Sequence, residues 1–176
     1  MSLRYALLGI ISKKSVTGYD VVRIFKQQMI YFWSSTHSQI YTELRKMEND
    51  NLIEHELVIQ GTLPNKKVYS LTDAGKKELI RWAIEEPLTL AKIKDEFLIK
   101  ATIFPVLSVR EINKLLDDVI EREESILSKT KHWKEHFNNQ EEQDVGTMLT
   151  VEYGIRYSEM YLEWCKWAKQ YINEIK

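Results

Sequence analysis

Residues 36 to 49 read ThrHisSerGlnIleTyrThrGluLeuArgLysMetGluAsn, and this stretch carries two different faces in one helical period. An apolar stripe recurs at helical spacing and must be buried: Ile40, Leu44 and Met47. Side chains that can form hydrogen bonds occupy the opposite side: Ser38, Tyr41, Thr42 and Arg45. Thr36 and Gln39 have the spacing of a capping box, which predicts that a helix starts here. A DNA-recognition helix is built in this way, although an ordinary solvated helix has the same periodicity.

The residues that follow this helix favour the DNA interpretation. Asn49 to Asn51 predict a helix stop in which an Asn adopts the left-handed conformation. Two strand-like runs, Leu52 to Ile59 and Lys67 to Leu71, are separated by turn residues between Gly61 and Lys66. Lys66 and Lys67 lie where the turn meets the strand. A helix followed by a hairpin with a basic tip is typical of a winged helix, whose helix enters the major groove while the tip lysines lie near phosphates.

The segment before residue 36 supplies two further helices. The first has an apolar face that ends at the break from Ser12 to Ser15, and five residues form it: Leu3, Ala6, Leu7, Ile10 and Ile11. The second is predicted to begin at Thr17, because Asp20 lies three residues on as a capping partner. The amide-rich start of this helix, at Thr17, Gly18 and Tyr19, can bind a phosphate. Helix capping alone also explains Thr17 and Gly18, so both interpretations stay open.

The motifs of about the first 85 residues resemble the PadR-like winged-helix transcriptional regulators, in the same order and at the same spacing. The matching stretches are Leu3 to Ile11, Thr17 to Asp20, Ser38 to Glu48, Leu52 with Ile53, and Lys66 to Gly75. Asn51 departs from the family, which usually has Gly there, but Asn tolerates the same backbone conformation. The resemblance implies a winged-helix DNA-binding domain over residues 1–86, a helical region over residues 87–176, and a DNA contact for Tyr41.

Length and composition fit a small regulator that is mainly α-helical with one small β hairpin. The chain has 176 residues, of which 44% are apolar. The single Cys165 excludes an internal disulfide framework, and its apolar helical surroundings predict a buried thiol. The N-terminus lacks the apolar segment of a signal peptide, and no run of 18 apolar residues is present. We therefore expect a cytoplasmic protein.

The net charge of −1 is far from the basic balance that phosphate binding usually demands. The charges are unevenly distributed, with 12 Lys and Arg against 10 Asp and Glu in residues 1–86, and 13 against 16 beyond. DNA binding therefore requires clustered basic groups, for which the candidates are Lys13, Lys14, Arg23, Lys26, Arg45, Lys46, Lys66 and Lys67. A weakly basic DNA-binding domain predicts modest affinity per subunit, so two domains would have to bind one DNA.

The second half of the chain has the pattern of two long helices. Ser108 and Glu111 form a second predicted capping box, and apolar residues then follow one side of the helix: Ile112, Leu115, Leu116, Val119, Ile126, Trp133 and Phe137. A polar break from Asn138 to Asp144 turns the chain back. The last helix carries a seam at heptad-like steps: Tyr153, Tyr157, Met160, Trp164, Trp167 and Tyr171. Such a seam is too apolar to stay in water, which predicts a homodimer on palindromic or pseudo-palindromic double-stranded DNA, with burial inside the chain as the alternative.

The resemblance also implies release from DNA by small aromatic or drug-like molecules that the helical region and its junction with the DNA-binding domain hold. The chain contains five Trp and nine Tyr. Trp133, Trp164 and Trp167 can stack on a flat apolar ligand. The alternative is that these side chains pack against each other at the dimer interface.

Patterns typical of enzymes and metal sites are weak. His132 and His136 lie four apart, but no HisGluXaaXaaHis motif or third ligand accompanies them, which favours an ordinary helix-surface pair. The 6 glycines are scattered, and no GlyXaaSerXaaGly motif occurs. The charged run from Glu121 to Glu124 is predicted to be a solvated helix face. No catalytic residue, cofactor or metal ligand is assigned.

The sequence therefore predicts a dimeric, sequence-specific DNA-binding transcriptional regulator, a repressor relieved by an effector, that is not an enzyme. The alternative is a winged-helix module that binds another protein through the exposed face of the 36-to-49 helix. These two hypotheses differ in salt dependence, because phosphate contacts release counterions and a protein partner produces no comparable slope.

Overall fold

The computed structural model describes residues 2–29, 33–61, 65–90, 93–138 and 144–175. The chain forms two compact units, Met1–Thr89 and Leu90–Lys176. The described residues of the first unit form four helices and three strands: α1 (Ser2–Ile11), β1 (Val16–Thr17), α2 (Gly18–Gln28), α3 (His37–Asn49), β2 (Ile53–Val58), β3 (Lys66–Leu71) and α4 (Asp73–Glu85). The second contains α5 (Glu96–Ala101), a short 3-10 helix (Phe104–Val106), α6 (Val109–Asn138) and α7 (Val145–Ile175).

The helix predicted from residue 36 is confirmed with its cap. The Thr36 side chain accepts a hydrogen bond from Gln39 N, and the Gln39 side chain accepts one from Thr36 N, so the capping box is complete. Ile40, Leu44 and Met47 are fully buried. They pack in one core with residues of α1 and α2, among them Leu7, Leu8, Ile11, Val21 and Phe25. The apolar stripe therefore fixes the rotation of α3 about its own axis.

The predicted hairpin is present, and a third strand joins it. β2 and β3 are antiparallel, with Ile53 opposite Leu71 and Val58 opposite Lys66. β1 pairs with the other edge of β3, where Thr17 lies opposite Val68. The strand order is β1-β3-β2. A two-residue strand leaves no period-2 pattern in the sequence, so β1 was not predicted. Residues 62–64 of the predicted turn lie outside the described part of the chain.

The stop after α3 also agrees with the prediction. Asn51 has a φ of 56°, the left-handed conformation that Asn adopts more readily than most residues. The second predicted start, at Thr17, is confirmed as well, since the Thr17 hydroxyl accepts from Asp20 N and caps α2.

Gly75 allows α4 to approach the chain at the end of α3. The Thr72 hydroxyl caps α4 by accepting from Gly75 N, and it lies 2.7 Å from the Asn51 carbonyl oxygen and 3.0 Å from that of Leu52. A Cβ on Gly75 would lie 2.0 Å from the Leu52 oxygen. The ThrAspAlaGly stretch thus joins α4 to the turn between α3 and β2.

Side-chain contacts also hold α4 against α1. The Tyr5 ring stacks on Trp82 with centroids 4.5 Å apart, and its hydroxyl donates to Glu78 at 2.8 Å. Hydrogen bonds from Arg81 and then Tyr5 lower the pKa of Glu78 to about 2. Because that pKa is depressed, the contact stabilises the fold at pH values above the ordinary carboxyl pKa. This stabilisation is lost as the pH falls toward 2.

The second unit is an antiparallel helix hairpin. Ser108 and Glu111 form the predicted capping box, since Ser108 N donates to Glu111 Oε2 at 2.8 Å and Ser108 Oγ accepts from Glu111 N at 3.3 Å. α7 turns one face toward α6, on which Val151, Ile155, Tyr161, Leu162, Cys165 and Ala168 are buried. Cys165 is a buried thiol, as predicted, and burial raises its pKa to about 11. Residues 139–143 of the predicted polar break lie outside the described part of the chain.

One prediction for α6 was wrong at a single residue, since Glu121, Arg122 and Glu124 are exposed but Glu123 is buried. In the run from Glu121 to Glu124, Glu123 is only 6% exposed and is not part of a solvated face. Ser158 of α7 donates to its carboxylate at 3.2 Å, and Arg122 pairs with it at 2.9 Å. Glu123 lies four residues after Val119 and so continues the apolar stripe of α6. The local charge composition predicted a helix face exposed to solvent, but the helical period places the Glu123 carboxylate inside the hairpin.

Gly75→Ala should lower the free energy of unfolding by about 2–3 kcal/mol, because the new Cβ meets a backbone oxygen that cannot move away without breaking the contacts of Thr72. Urea denaturation of the full chain at one protein concentration measures the change. Gly9→Ala is the matched control, since nothing lies within 4 Å of its Cβ. This helical Ala should raise stability by about 0.5–1 kcal/mol. Equal effects of the two substitutions would contradict the close approach at Gly75.

Candidate nucleic-acid interface

The polar face of α3 points outward, as predicted. Ser38, Thr42 and Arg45 are exposed, and Tyr41 is partly buried. Arg45 lies 3.4 Å from the Thr42 hydroxyl, so its guanidinium lies over this face. The Gln39 carbonyl oxygen accepts from Thr36 N and from Ser35 Oγ, which leaves its NH₂ group to point away from the cap. These side chains form a continuous row of donors and acceptors along one helix.

The carboxylates of α3 are held by other parts of the first unit. Arg4 of α1 donates to Glu43 at 2.8 Å and pairs with Asp50 at 2.7 Å. Glu48 contacts the His55 ring of β2 and lies 3.5 Å from Lys67 of β3. These pairs direct three negative groups to the flanks of the helix. The row from Ser38 to Arg45 therefore presents no unpaired carboxylate to an approaching phosphate backbone.

The His37 ring and Gly18 both lie next to Tyr41. The His37 ring lies 4.6 Å from the Tyr41 ring, centroid to centroid. A Cβ on Gly18, the first residue of α2, would lie 2.9 Å from the Tyr41 hydroxyl oxygen. The start of α2 is thus adjacent to the exposed face of α3. This juxtaposition was not evident in the sequence, because residues 18 and 41 belong to separate helices.

The start of α2 combines a capped helix with an exposed ring. The Thr17 hydroxyl both accepts from Asp20 N and donates to Asp20 Oδ2 at 2.6 Å, so it is occupied by the cap. That bond is the first cause of the lowered pKa of Asp20. Tyr19 is exposed. The geometry leaves the backbone amides, rather than the Thr17 side chain, as the groups that can bind a phosphate.

The two lysines of the wing differ in their surroundings. They are adjacent in β3, so their side chains leave opposite faces of the sheet. Lys67 faces α3 and pairs with Glu48, whereas Lys66 lies opposite Val58 beside the turn. The predicted basic groups are all exposed: Lys13, Lys14, Arg23, Lys26, Arg45, Lys46, Lys66 and Lys67. Arg23 pairs with Asp20 at 2.9 Å.

Four residues of the predicted seam on α7 lie opposite the face that packs on α6. Tyr153, Met160, Trp167 and Tyr171 are between 48% and 57% exposed. The Trp167 and Tyr171 rings stack at 5.4 Å. Tyr157 and Trp164 are partly buried, and Trp164 packs on Phe97 of α5 at 6.1 Å. The seam is therefore divided, with its outer residues exposed and Trp164 within the core of the second unit.

The three Trp proposed as effector contacts do not form one cluster within a chain. Trp133 precedes Lys134, which bonds Glu152 at 2.7 Å near the turn of the hairpin. Trp164 lies about 18 Å further along α7 by the helical rise of roughly 1.5 Å per residue. A groove of about 590 Å³ on this hairpin is lined by Glu124, Leu127, Lys131, His132 and Leu162 among others, and by none of these Trp.

Neither a metal cluster nor a membrane span is found in the described residues. No group of three or more His, Cys, Asp or Glu that suits a metal ion occurs there. The side chain of His136 lies outside the described part of the chain. Across the same residues, no helix combines the length and apolar character that crossing a bilayer requires.

Comparisons with known proteins agree with this architecture. The transcriptional regulator PadR-like family matches residues 7–81, and the C-terminal model of virulence activator alpha matches residues 93–173. The negative transcriptional regulator PadR of Bacillus subtilis is 41% identical over 126 residues, which cover 72% of this chain and 69% of that protein.

Two crystal structures of the Bacillus subtilis protein are also similar to this chain. The structure in complex with operator DNA has a TM-score of 0.84 at 34% identity, with 98% of this chain and 99% of that chain covered. The structure in complex with p-coumaric acid has a TM-score of 0.75 at 30% identity and the same coverage. The fold and these similarities identify a winged-helix transcriptional regulator. The chain belongs to the PadR-like family of these regulators.

Arg45→Ala should cost roughly 1–3 kcal/mol of binding free energy on the preferred DNA site and much less on random DNA, because a guanidinium can donate two hydrogen bonds to guanine. Titration of both DNAs at one salt concentration measures the difference. Equal losses on both would mean that Arg45 contacts only phosphate.

Lys66→Ala provides the contrasting case. It should weaken binding to all sequences alike and lower the salt slope by about one per lost phosphate contact per subunit. Lys67→Ala should also weaken binding and lower the salt slope, in proportion to how often Lys67 pairs with a DNA phosphate instead of with Glu48. If the salt dependence of DNA affinity is unchanged in both variants, the wing does not contact the DNA.

Proposed function

We propose that this chain is a sequence-specific DNA-binding repressor that acts as a homodimer and is released by a small aromatic or drug-like effector. The DNA contacts we assign are Ser38, Gln39, Tyr41, Thr42 and Arg45 on α3, Lys66 and Lys67 on the wing, and the backbone at Thr17, Gly18 and Tyr19. Double-stranded DNA with a palindromic or pseudo-palindromic site is the partner. We further propose that the protein acts in the cytoplasm.

The observation that carries the proposal is the composition of the outward face of α3. Its donors and acceptors project from a helix whose opposite stripe is fully buried, and its carboxylates are paired at the flanks. A helix in this orientation can offer base-reading side chains to the major groove without electrostatic repulsion. The operator complex of the Bacillus subtilis PadR supports the same use of this fold.

The charge of the DNA-binding domain supports a dimer whose two domains bind one DNA. The first 86 residues carry only a small basic excess, so one DNA-binding domain alone gives few phosphate contacts. Two domains linked in one dimer raise the effective concentration of the second at the DNA. A two-fold dimer also matches a palindromic site. Exposed large apolar residues of α7 supply a surface for such pairing: Tyr153, Met160, Trp167 and Tyr171.

For the effector, the support comes from the relative and from composition. The Bacillus subtilis PadR is a negative transcriptional regulator, and one of its crystal structures contains p-coumaric acid. Because Trp133 and Trp164 lie far apart on the hairpin of one chain, a single flat ligand cannot stack on both within that chain. We therefore propose that any effector contact uses Trp164 and Trp167, or Trp133, with groups from the partner subunit completing the site.

Selection of DNA from a random pool tests the main proposal. The expected result is one enriched sequence with two related half-sites, whose affinity falls steeply as salt rises. A repressor role is tested by transcription from a promoter that contains the selected site. Enrichment of no sequence, together with a shallow salt dependence, would overturn DNA readout and favour a protein-binding winged helix.

Truncation near Asn138 should leave a monomeric protein that binds DNA poorly, because the bivalent gain is lost. Trp167→Glu in the full chain should dissociate the dimer, since a carboxylate would be buried without a partner. Sedimentation and DNA titration follow both changes. Glu163→Gln, at an exposed position of the same helix, is the control and should remain dimeric. A monomeric full-length chain at micromolar concentration would contradict the assembly.

Flat aromatic acids and cationic dyes should quench tryptophan fluorescence and lower DNA occupancy together. A hundredfold release requires about 2.7 kcal/mol of coupling between the two ligands. Titration with both signals recorded in one sample is the measurement. Quenching with unchanged DNA affinity would show binding without regulation, and no response to either class of compound would remove the effector from the proposal.

A further inference from the structure

The Tyr41 ring lies next to the start of α2 and beside the first residue of its own helix, α3. On one side, a Cβ added to Gly18 would lie 2.9 Å from both Cε1 and the hydroxyl oxygen of Tyr41, and 3.1 Å from Cζ. These distances place the hydroxyl-bearing edge of the ring directly against the Cα of Gly18. Any side chain at position 18 would therefore have to displace this edge.

The His37 ring also contacts the Tyr41 ring. His37 is the first residue of α3 and lies one turn before Tyr41. The two rings are 4.6 Å apart between centroids and inclined by 32°. Rings at this distance and angle attract each other beyond their simple loss of exposed area. Gly18 and His37 are thus both adjacent to the Tyr41 ring and together enclose part of it.

The backbone does not explain why position 18 is Gly. None of the described glycines has a positive φ, so Gly18 has a backbone conformation open to other residues. Position 18 follows the Thr17 cap, and Thr17 pairs with Val68 of β3. The start of α2 is thereby anchored to the sheet and cannot easily withdraw from α3. The missing side chain at position 18 is what leaves room for the Tyr41 ring.

We propose that Gly18 and His37 are positioning residues for DNA recognition, which hold the Tyr41 hydroxyl at the DNA-facing edge of α3. This inference rests on the proposed function. A side chain ordered before binding loses less conformational entropy when it contacts DNA. Gly18 acts by leaving space and His37 acts by ring stacking. Neither residue needs to touch DNA for this effect.

A double-mutant cycle on the full chain tests the role of Gly18. Gly18→Ala and Tyr41→Ala should each weaken binding to the selected DNA site about tenfold, a loss within the usual range for coupled residues. The double variant should bind no more weakly than Tyr41→Ala alone, because the clash disappears with the ring. Gly9→Ala is the matched control for a Gly to Ala change, and its affinity should be unchanged.

His37 is tested in the same way. His37→Phe keeps an aromatic ring beside Tyr41 and should retain affinity, whereas His37→Ala should lose severalfold. In the Tyr41→Ala background, His37→Ala should have no further effect. A loss that persists in that background would show that His37 contacts DNA itself and would overturn its positioning role.

A measurement without DNA separates this inference from the proposed function. The NMR resonances of the Tyr41 ring, assigned by comparison with Tyr41→Phe, should shift in Gly18→Ala and His37→Ala and stay in place in Gly9→Ala. Unchanged Tyr41 resonances in Gly18→Ala would overturn the enclosure of the ring. Additive losses of affinity in the Gly18 and Tyr41 cycle would overturn the positioning role of Gly18. If the unmodified chain binds no DNA while the resonances shift as expected, the proposed function fails and the enclosure stands.

Discussion

Burial of Ile40, Leu44 and Met47 in the core of the first unit is the constraint on which the rest of that unit depends. All three side chains are fully buried against α1 and α2. A rotation of α3 about its axis would expose apolar surface, which costs about 25 cal/mol for each Å². The rotation is therefore fixed, and with it the identity of the side chains that face outward. The polar row on α3 is a consequence of the core beneath it.

Electrostatic pairing then determines what that outward face offers to a partner. Glu43, Glu48 and Asp50 would repel DNA if they were unpaired near the row. Arg4 of α1 and Lys67 of β3 draw them to opposite flanks of α3. A protein with a net charge of −1 can in this way present a surface suited to phosphate. The distribution of charge matters more here than its sum.

The second unit differs from the first because its helices bring polar as well as apolar groups together on the faces that meet. Glu123 and Ser158 pair within the hairpin, and Asp95 accepts from Tyr161 at 2.5 Å while also capping α5. Burial and the Asp95 carboxylate both raise the pKa of Tyr161. The first pair joins α7 to α6, and the second joins α7 to the start of α5. Trp167 and Tyr171 lie on the exposed outer face of α7.

The sequence by itself determined the elements whose signals are local. The caps at Thr17, Thr36 and Ser108 depend on residues three positions apart, and the apolar stripes follow the helical period. The tertiary structure decided which distant residues meet. The pairing of β1 with β3, the hydrogen bond from Ser158 to Glu123 and the contact of Gly18 with Tyr41 join residues far apart in the chain. Their energies arise from packing and hydrogen bonding between elements, and no local pattern records those contacts.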